Sequence, residues 1–170
     1  MDTAIQTVTE MITQRGYKIT KSDDDIIVGT NSTGEHIIVF TQSVAKLNID
    51  RVKEYISILH KMEMKHCIVI YVENVTSMTK KLIENSVDIK IEIFTLEELQ
   101  YNITKHRLVP KHIILSPTES KEFKHLYGLK YPVILRTDPI ARFYDFNRGD
   151  VIKIIRMNGL DEYITYRIVK

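Results

Sequence analysis

The stretch His66-Cys67-Ile68-Val69-Ile70-Tyr71-Val72 is apolar at almost every position and rich in Ile and Val. A segment with no polar face reads as a central strand, and a central strand needs cover on both sides. The flanking sequence has the material for it. Residues 36–40 (His36-Ile37-Ile38-Val39-Phe40) form a second buried strand. Between the two, Asn48 or Asp50 starts a helix in which Ile49, Val52, Ile56 and Leu59 line one face while Arg51, Lys53 and Glu54 face away.

The same reading extends in both directions. Residues 3–15 form a helix capped by Asp2 or Thr3, with Ile5, Val8 and Ile12 at helical spacing and Gly16 as its stop. Short strands at 17–20 and 26–29 flank the acidic turn Asp23-Asp24-Asp25, and Asn31-Ser32-Thr33-Gly34 is turn chemistry. Thr76 or Ser77 caps a helix running through Ile83. Ile89-Lys90-Ile91-Glu92-Ile93-Phe94 alternates with period two, which predicts a strand with one solvent face. Leu96, Leu99 and Ile103 predict a further short helix. Residues 1–105 thus read as an α/β layer with mixed strands.

The remainder has another character. Ser116-Pro117-Thr118-Glu119 is a capping box with proline at the first helical position, Phe123, Leu126 and Tyr127 are the expected buried face, and Gly128 is the stop. Residues 151–156 and 163–169 are strong strands, with Asn158-Gly159 as the hairpin turn between them. Val133-Ile134-Leu135 is a shorter strand. This is a small α+β module. Charge draws the boundary: residues 1–100 hold 11 Lys/Arg against 15 Asp/Glu, whereas 101–170 hold 13 against 7. All four prolines also lie in the second part. The expected domains are therefore 1–100 and 101–170.

Several function classes fall away. No run approaches the roughly 20 apolar residues of a membrane helix, and Met1-Asp2-Thr3-Ala4 has neither a signal nor a transit pattern. Cys67 is the only cysteine, so no intrachain disulfide forms, in keeping with a reducing compartment. Phosphate-cradling glycine motifs and G-x-S-x-G are absent. His60, His66 and Cys67, or His106 and His112, are too scattered for a structural zinc site. A nuclease would want an acid-x-Lys pair. Asp88/Lys90, Glu63/Lys65, Glu119/Lys121 and Glu122/Lys124 all fit those letters. With 22 acids and 16 lysines in 170 residues, about two such spacings arise by chance, so four is not a signal. Asp23, Asp24 and Asp25 read as a solvated turn, because three adjacent acids cannot all face one cation.

Four blocks carry a more specific signal. They are His106-Arg107-Leu108-Val109-Pro110-Lys111-His112, Asp138-Pro139-Ile140-Ala141-Arg142-Phe143-Tyr144, the run 148–156 beginning Arg148-Gly149-Asp150, and the run 163–169 beginning Tyr163-Ile164-Thr165. In this order and spacing they resemble the C-terminal assembly module of the fifth subunit of eukaryotic RNA polymerases, a module that archaeal polymerases share. Residues 1–100 resemble, more loosely, the eukaryotic protein's N-terminal jaw, through Arg15-Gly16-Tyr17, Ile37-Ile38-Val39-Phe40, the helix near 50–62, and Tyr101-Asn102-Ile103-Thr104-Lys105-His106. Archaeal versions lack the jaw. Three departures stand out: Tyr131-Pro132-Val133 replaces a Leu-Pro-Arg sequence, the turn at 157–162 is shorter by about one residue, and Ser77 stands where relatives often have proline. Together with the shortened jaw they lean toward a large-DNA-virus version.

The resemblance implies a nuclease-like α/β jaw with a mixed sheet, followed by a small α+β assembly domain with a mixed sheet and hairpin. It implies a non-catalytic subunit, without cofactor, metal, membrane or required homo-oligomer, inside a DNA-directed RNA polymerase. The expected partners are the largest polymerase subunit and other subunits, with weak, non-specific contact to downstream double-stranded DNA. The docking residues it implies are His106, Leu108, Val109, Pro110, Pro139, Arg142, Tyr144, Gly149, Arg156, Tyr163 and Arg167. Thr76, Ser77, Lys80 and Lys81 would lie near DNA. The implied location is the nucleus for a cellular member, and a cytoplasmic viral factory or the virion for a viral one. A small metal-dependent nuclease and a free nucleic-acid adaptor are the competing readings.

Overall fold

In the computed structural model, which describes residues 2–128, 130–159 and 161–170, the apolar run becomes strand β4 (His66–Tyr71), next to last in a five-stranded sheet. The other strands are β1 (Lys18–Ser22), β2 (Ile26–Thr30), β3 (His36–Val44) and β5 (Lys90–Thr95), in the order β1-β2-β3-β4-β5. The first three pair antiparallel, whereas β3-β4 and β4-β5 are parallel. Parallel neighbours need crossovers, and helices α2 (Ile49–Lys61) and α3 (Ser77–Glu84) provide them.

Alternation along the strands sorts the core into two layers. Ile38, Phe40, Cys67, Val69 and Ile91 face α2 and α3, packing with Val52, Tyr55 and Leu59 and with the half-buried Leu82 and Ile83. Phe40 and Tyr55 lie with ring centroids 4.4 Å apart. Ile37, Val39, Ile68 and Ile70 point to the opposite face and are fully buried. Helix α1 (Asp2–Gln14) buries Ala4, Val8, Met11 and Ile12.

An ion pair ties the end of α1 to the edge strand. The Arg15 guanidinium donates to both carboxylate oxygens of Glu92 at 2.7 and 2.9 Å, and His66 Nε2 lies 2.7 Å from Glu92 Oε1. Glu92 pairs across the sheet with Ile68, on the face away from α2. The period-two pattern of residues 89–94 predicts a solvent face here. The polar position is instead nearly buried, because Arg15 and His66 satisfy it. Burial by itself pushes the Glu92 carboxyl upward; the adjacent Arg15 charge and the hydrogen bonds from His66 and Arg15 outweigh it and hold the group at about 2.

Other expectations shift locally. Leu96 and Leu99 sit in turns rather than a helix, followed by a single 3-10 turn at Ile103–Lys105. The contacts divide the chain into two units, Met1–Tyr101 and Asn102–Lys170. The second unit is built on a mixed four-stranded sheet, in the order β6 (Lys111–Ile114), β8 (Val151–Asn158), β9 (Asp161–Val169), β7 (Val133–Ile134). Only β7-β9 is parallel. Helix α4 (Pro117–Tyr127) has the full capping box and proline start read from sequence, and Gly128 stops it at a φ of 72°. Of its expected buried face only Phe123 is buried; Leu126 and Tyr127 are 73% and 60% exposed. Phe123 alone reaches Val151 and Ile168 on the sheet, and Tyr127 and Tyr131 ring it at 4.9 and 4.8 Å. In the hairpin, Asn158 pairs with Asp161, so pairing runs one residue into the expected turn. Gly159 supplies the positive φ of 66°, and Leu160 lies outside the described residues.

The Arg15–Glu92 pair has a pH signature. A carboxyl held at about 2 when folded and titrating at about 4.3 when unfolded contributes stability that is complete above the unfolded value and lost as pH falls from there toward 2. Glu92→Gln leaves Arg15 buried without its counter-charge. It should lower stability at pH 7 by about 3 kcal/mol and flatten the acid limb of a plot of Tm against pH, measured by circular dichroism.

Candidate partner-binding surface

The residues expected to dock divide by environment. Five are structural. Val109 packs on the core of Ile134, Ile140, Ala141, Phe146, Ile152, Ile154 and Val169. Pro110 offers its carbonyl to His112 Nδ1 at 2.7 Å. Pro139 opens helix α5 (Pro139–Tyr144), which Asp138 caps through the Ile140 N–H at 2.8 Å. Tyr144 stacks on Phe146 with centroids 5.3 Å apart, and burial pushes its phenol up, while a hydrogen bond with Thr104 opposes the rise. Gly149 turns the chain at a φ of 91°; its N–H donates to Val169 O and its carbonyl accepts from Lys124 Nζ at 2.6 Å.

The others reach the surface. Leu108 is 72% exposed and Tyr163 45% exposed, and the exposed His106 accepts the Leu108 N–H at its Nδ1. Arg142, Arg156 and Arg167 are half-buried. Pairing puts Arg156 opposite Tyr163 and Arg167 opposite Ile152. Across the other edge His112 lies opposite Ile154. Arg156, Tyr163, Arg167 and His112 therefore share the face of the sheet that carries α5. Burial holds the His112 imidazole below its ordinary value; Arg156 and Arg167 add to that, and the Pro110 hydrogen bond and Asp138 oppose it. His112 lies in the first of the resembling blocks but not among the docking residues the resemblance implies. The pairing of β6 with β8 reveals it, and β6 is too short to show a period.

In the first unit, Thr76 caps α3 by accepting the Thr79 N–H at 3.2 Å, and Thr79 is fully buried beneath it. Ser77, Lys80 and Lys81 are exposed. His66 and Cys67 occupy successive strand positions and so face opposite layers. Burial raises the Cys67 thiol to about 12, with Glu92 adding to the rise, so it is protonated at neutral pH. Glu119 belongs to the α4 cap, and Lys124 to Gly149. Asp23 pairs with Lys21 and Asp25 with Gln42, so these carboxylates are engaged separately. Among the described residues no helix is long and apolar enough to cross a membrane.

Residues 101–169 match the family model for the RNA polymerase Rpb5 C-terminal domain. The DNA-directed RNA polymerases I, II, and III subunit rpabc1 of Dictyostelium discoideum is 33% identical over 184 residues, covering 96% of this chain and 93% of that protein. The corresponding RPABC1 subunit of Caenorhabditis elegans is 33% identical, covering 89% and 75%. A putative DNA-directed RNA polymerase subunit, 454R, of Invertebrate iridescent virus 6 is 31% identical, covering 97% of each chain.

The split between scaffold and surface is testable. Gly149→Ala forces a residue with a Cβ into a left-handed backbone and should cost about 1–2 kcal/mol of stability, although open space surrounds it. Tyr163→Ala should leave thermal stability within about 0.5 kcal/mol, as exposed substitutions do. Denaturant titration of both variants measures the contrast.

Proposed function

This chain belongs to the Rpb5 family of RNA polymerase subunits, and from that premise we propose that it is a non-catalytic subunit of a multisubunit DNA-directed RNA polymerase, acting in transcription. The observation that carries the reading is similarity over 96% of the chain to a polymerase subunit of nearly the same extent. The second unit is the assembly domain, and it docks on the largest subunit through the surface around Leu108, Tyr163 and the half-buried arginines. Aromatic and arginine side chains suit that role, since they bury large area and make planar charge-assisted bonds.

The first unit is the jaw, a nuclease-like α/β layer. It lies beside downstream double-stranded DNA. The start of α3 fits a weak phosphate contact, with free backbone N–H groups at the helix end and Lys80 and Lys81 one turn on. The location follows that of the polymerase: the nucleus for a cellular member, a viral factory or virion for a viral one. The iridescent virus relative supports the second setting as much as the cellular relatives support the first.

A tagged chain should co-purify with the two large polymerase subunits at one copy per complex and show no metal-dependent cleavage by itself. Isolation as a free protein, or cleavage lost in Asp88→Asn, would favour the nuclease instead. In the assembled polymerase, replacing Lys80 and Lys81 by Ala should weaken retention on downstream DNA by about twofold to tenfold at low salt, with a shallower salt dependence. Unchanged salt-dependent retention would remove the DNA contact from the account.

A further inference from the structure

The face of the second sheet that carries α5 sets cationic residues directly beside apolar ones. Ile152 and Ile154 are buried in the core with Ile140 and Ala141. On this face Arg167 lies opposite Ile152, Thr165 and His112 lie opposite Ile154 on its two sides, and the Arg156–Tyr163 pair follows one step further along. The alternation that puts these residues together sends Lys111 and Lys153 to the opposite face.

One feature of this rim calls for an anion. Arg156 and Arg167 are half-buried, yet among the described residues neither has an ion-pair partner. The one side-chain bond of Arg167 is a long 3.4 Å contact with Val133 O. Partly desolvated guanidinium groups without counter-charge are unfavourable until an anion arrives. His112 stands beside them with Nδ1 donating to Pro110 O, so its other ring nitrogen is an acceptor while the ring is neutral and takes no part in holding an anion.

We propose that this rim seats an acidic, extended segment of a partner protein, with Arg156 and Arg167 pairing successive carboxylates along it and Tyr163, opposite Arg156, giving an apolar contact. The proposal rests on the reading of the second unit as a docking module and specifies the chemistry of its partner. Charge complementarity supports it, since residues 101–170 carry 13 Lys/Arg against 7 Asp/Glu. The guanidinium fork matches the two oxygens of a carboxylate. Nucleic acid is the weaker fit. Phosphate tracking uses a stripe of basic residues, whereas this rim has two arginines spaced by Tyr163 and Thr165, with Asp138 close to His112 and Asp161 on the same face at the hairpin end.

The test uses the full chain and labelled peptides in fluorescence anisotropy. The probes are a twelve-residue Glu/Asp-rich peptide with one aromatic residue, its Gln/Asn counterpart, and a duplex oligonucleotide. The acidic peptide should bind, the amide peptide should not, and R156Q/R167Q should lose about tenfold or more of the affinity. R156E/R167E should gain affinity for a Lys-rich peptide, which guards against mere unfolding. Peptide binding that ignores both variants would overturn the proposal, and so would duplex binding tighter than peptide binding with the same dependence on arginine. Co-purification keeps the two readings apart. Wild type that assembles with polymerase while R156Q/R167Q assembles equally well overturns the rim and leaves the subunit reading standing. Wild type that fails to assemble overturns the subunit reading, and the rim is then decided by the peptides.

Discussion

Strand β4 is sealed on both faces, and the first unit follows from that constraint. Its odd positions meet α2 and α3 through Cys67 and Val69, and its even positions, Ile68 and Ile70, are buried on the far side. A strand with no solvent face needs cover on both sides, and the crossover helices that join β4 to its parallel neighbours supply it on one of them. Parallel pairing then puts Glu92 opposite Ile68, where a carboxylate is tolerable only with a cation. Arg15, just beyond α1, supplies one. The charge pair is thus a consequence of the sheet.

The second unit solves a smaller version of the problem with less material. Its sheet is covered by α5 on one side and α4 on the other, and neither helix spans the face. What remains outside is chemically uneven: exposed Leu126 and Tyr127 on α4, and arginines with Tyr163 on the face that carries α5. A module with so little cover relative to its sheet is suited to completing itself against another protein. Net charge taken alone hints at nucleic acid for this half, yet the cations that share a face are set among Tyr163, Thr165 and buried isoleucines. Their surroundings, more than their number, argue for a protein partner.

Long periodic or well-capped elements are legible from sequence. Residues 49–61 and 66–71 declare themselves by period and by β-branched content, and α4 by its Ser116 to Glu119 box. Short elements are not. Strand β6 offers four residues with no alternation, and α5 is six residues long, although Asp138 and Pro139 mark its start. The burial of Glu92 escapes the pattern because period two distinguishes faces but not what lies over them; Arg15 is 77 residues away. The exposure of Leu126 and Tyr127 escapes it for the complementary reason, since helical spacing does not reveal how far the sheet beneath extends. In the candidate surface, the resemblance brings out Arg156, Tyr163 and Arg167, and only strand pairing joins His112 to them.

The central claim is that the second unit carries the contact with the largest polymerase subunit. Cross-linking mass spectrometry on the assembled polymerase tests it directly with lysine-reactive reagents. Cross-links from Lys111, Lys121 and Lys130 to the largest subunit are expected, with loss of all three when the complex is dissociated. Cross-links to that subunit arising only from lysines of residues 1–100 would contradict it.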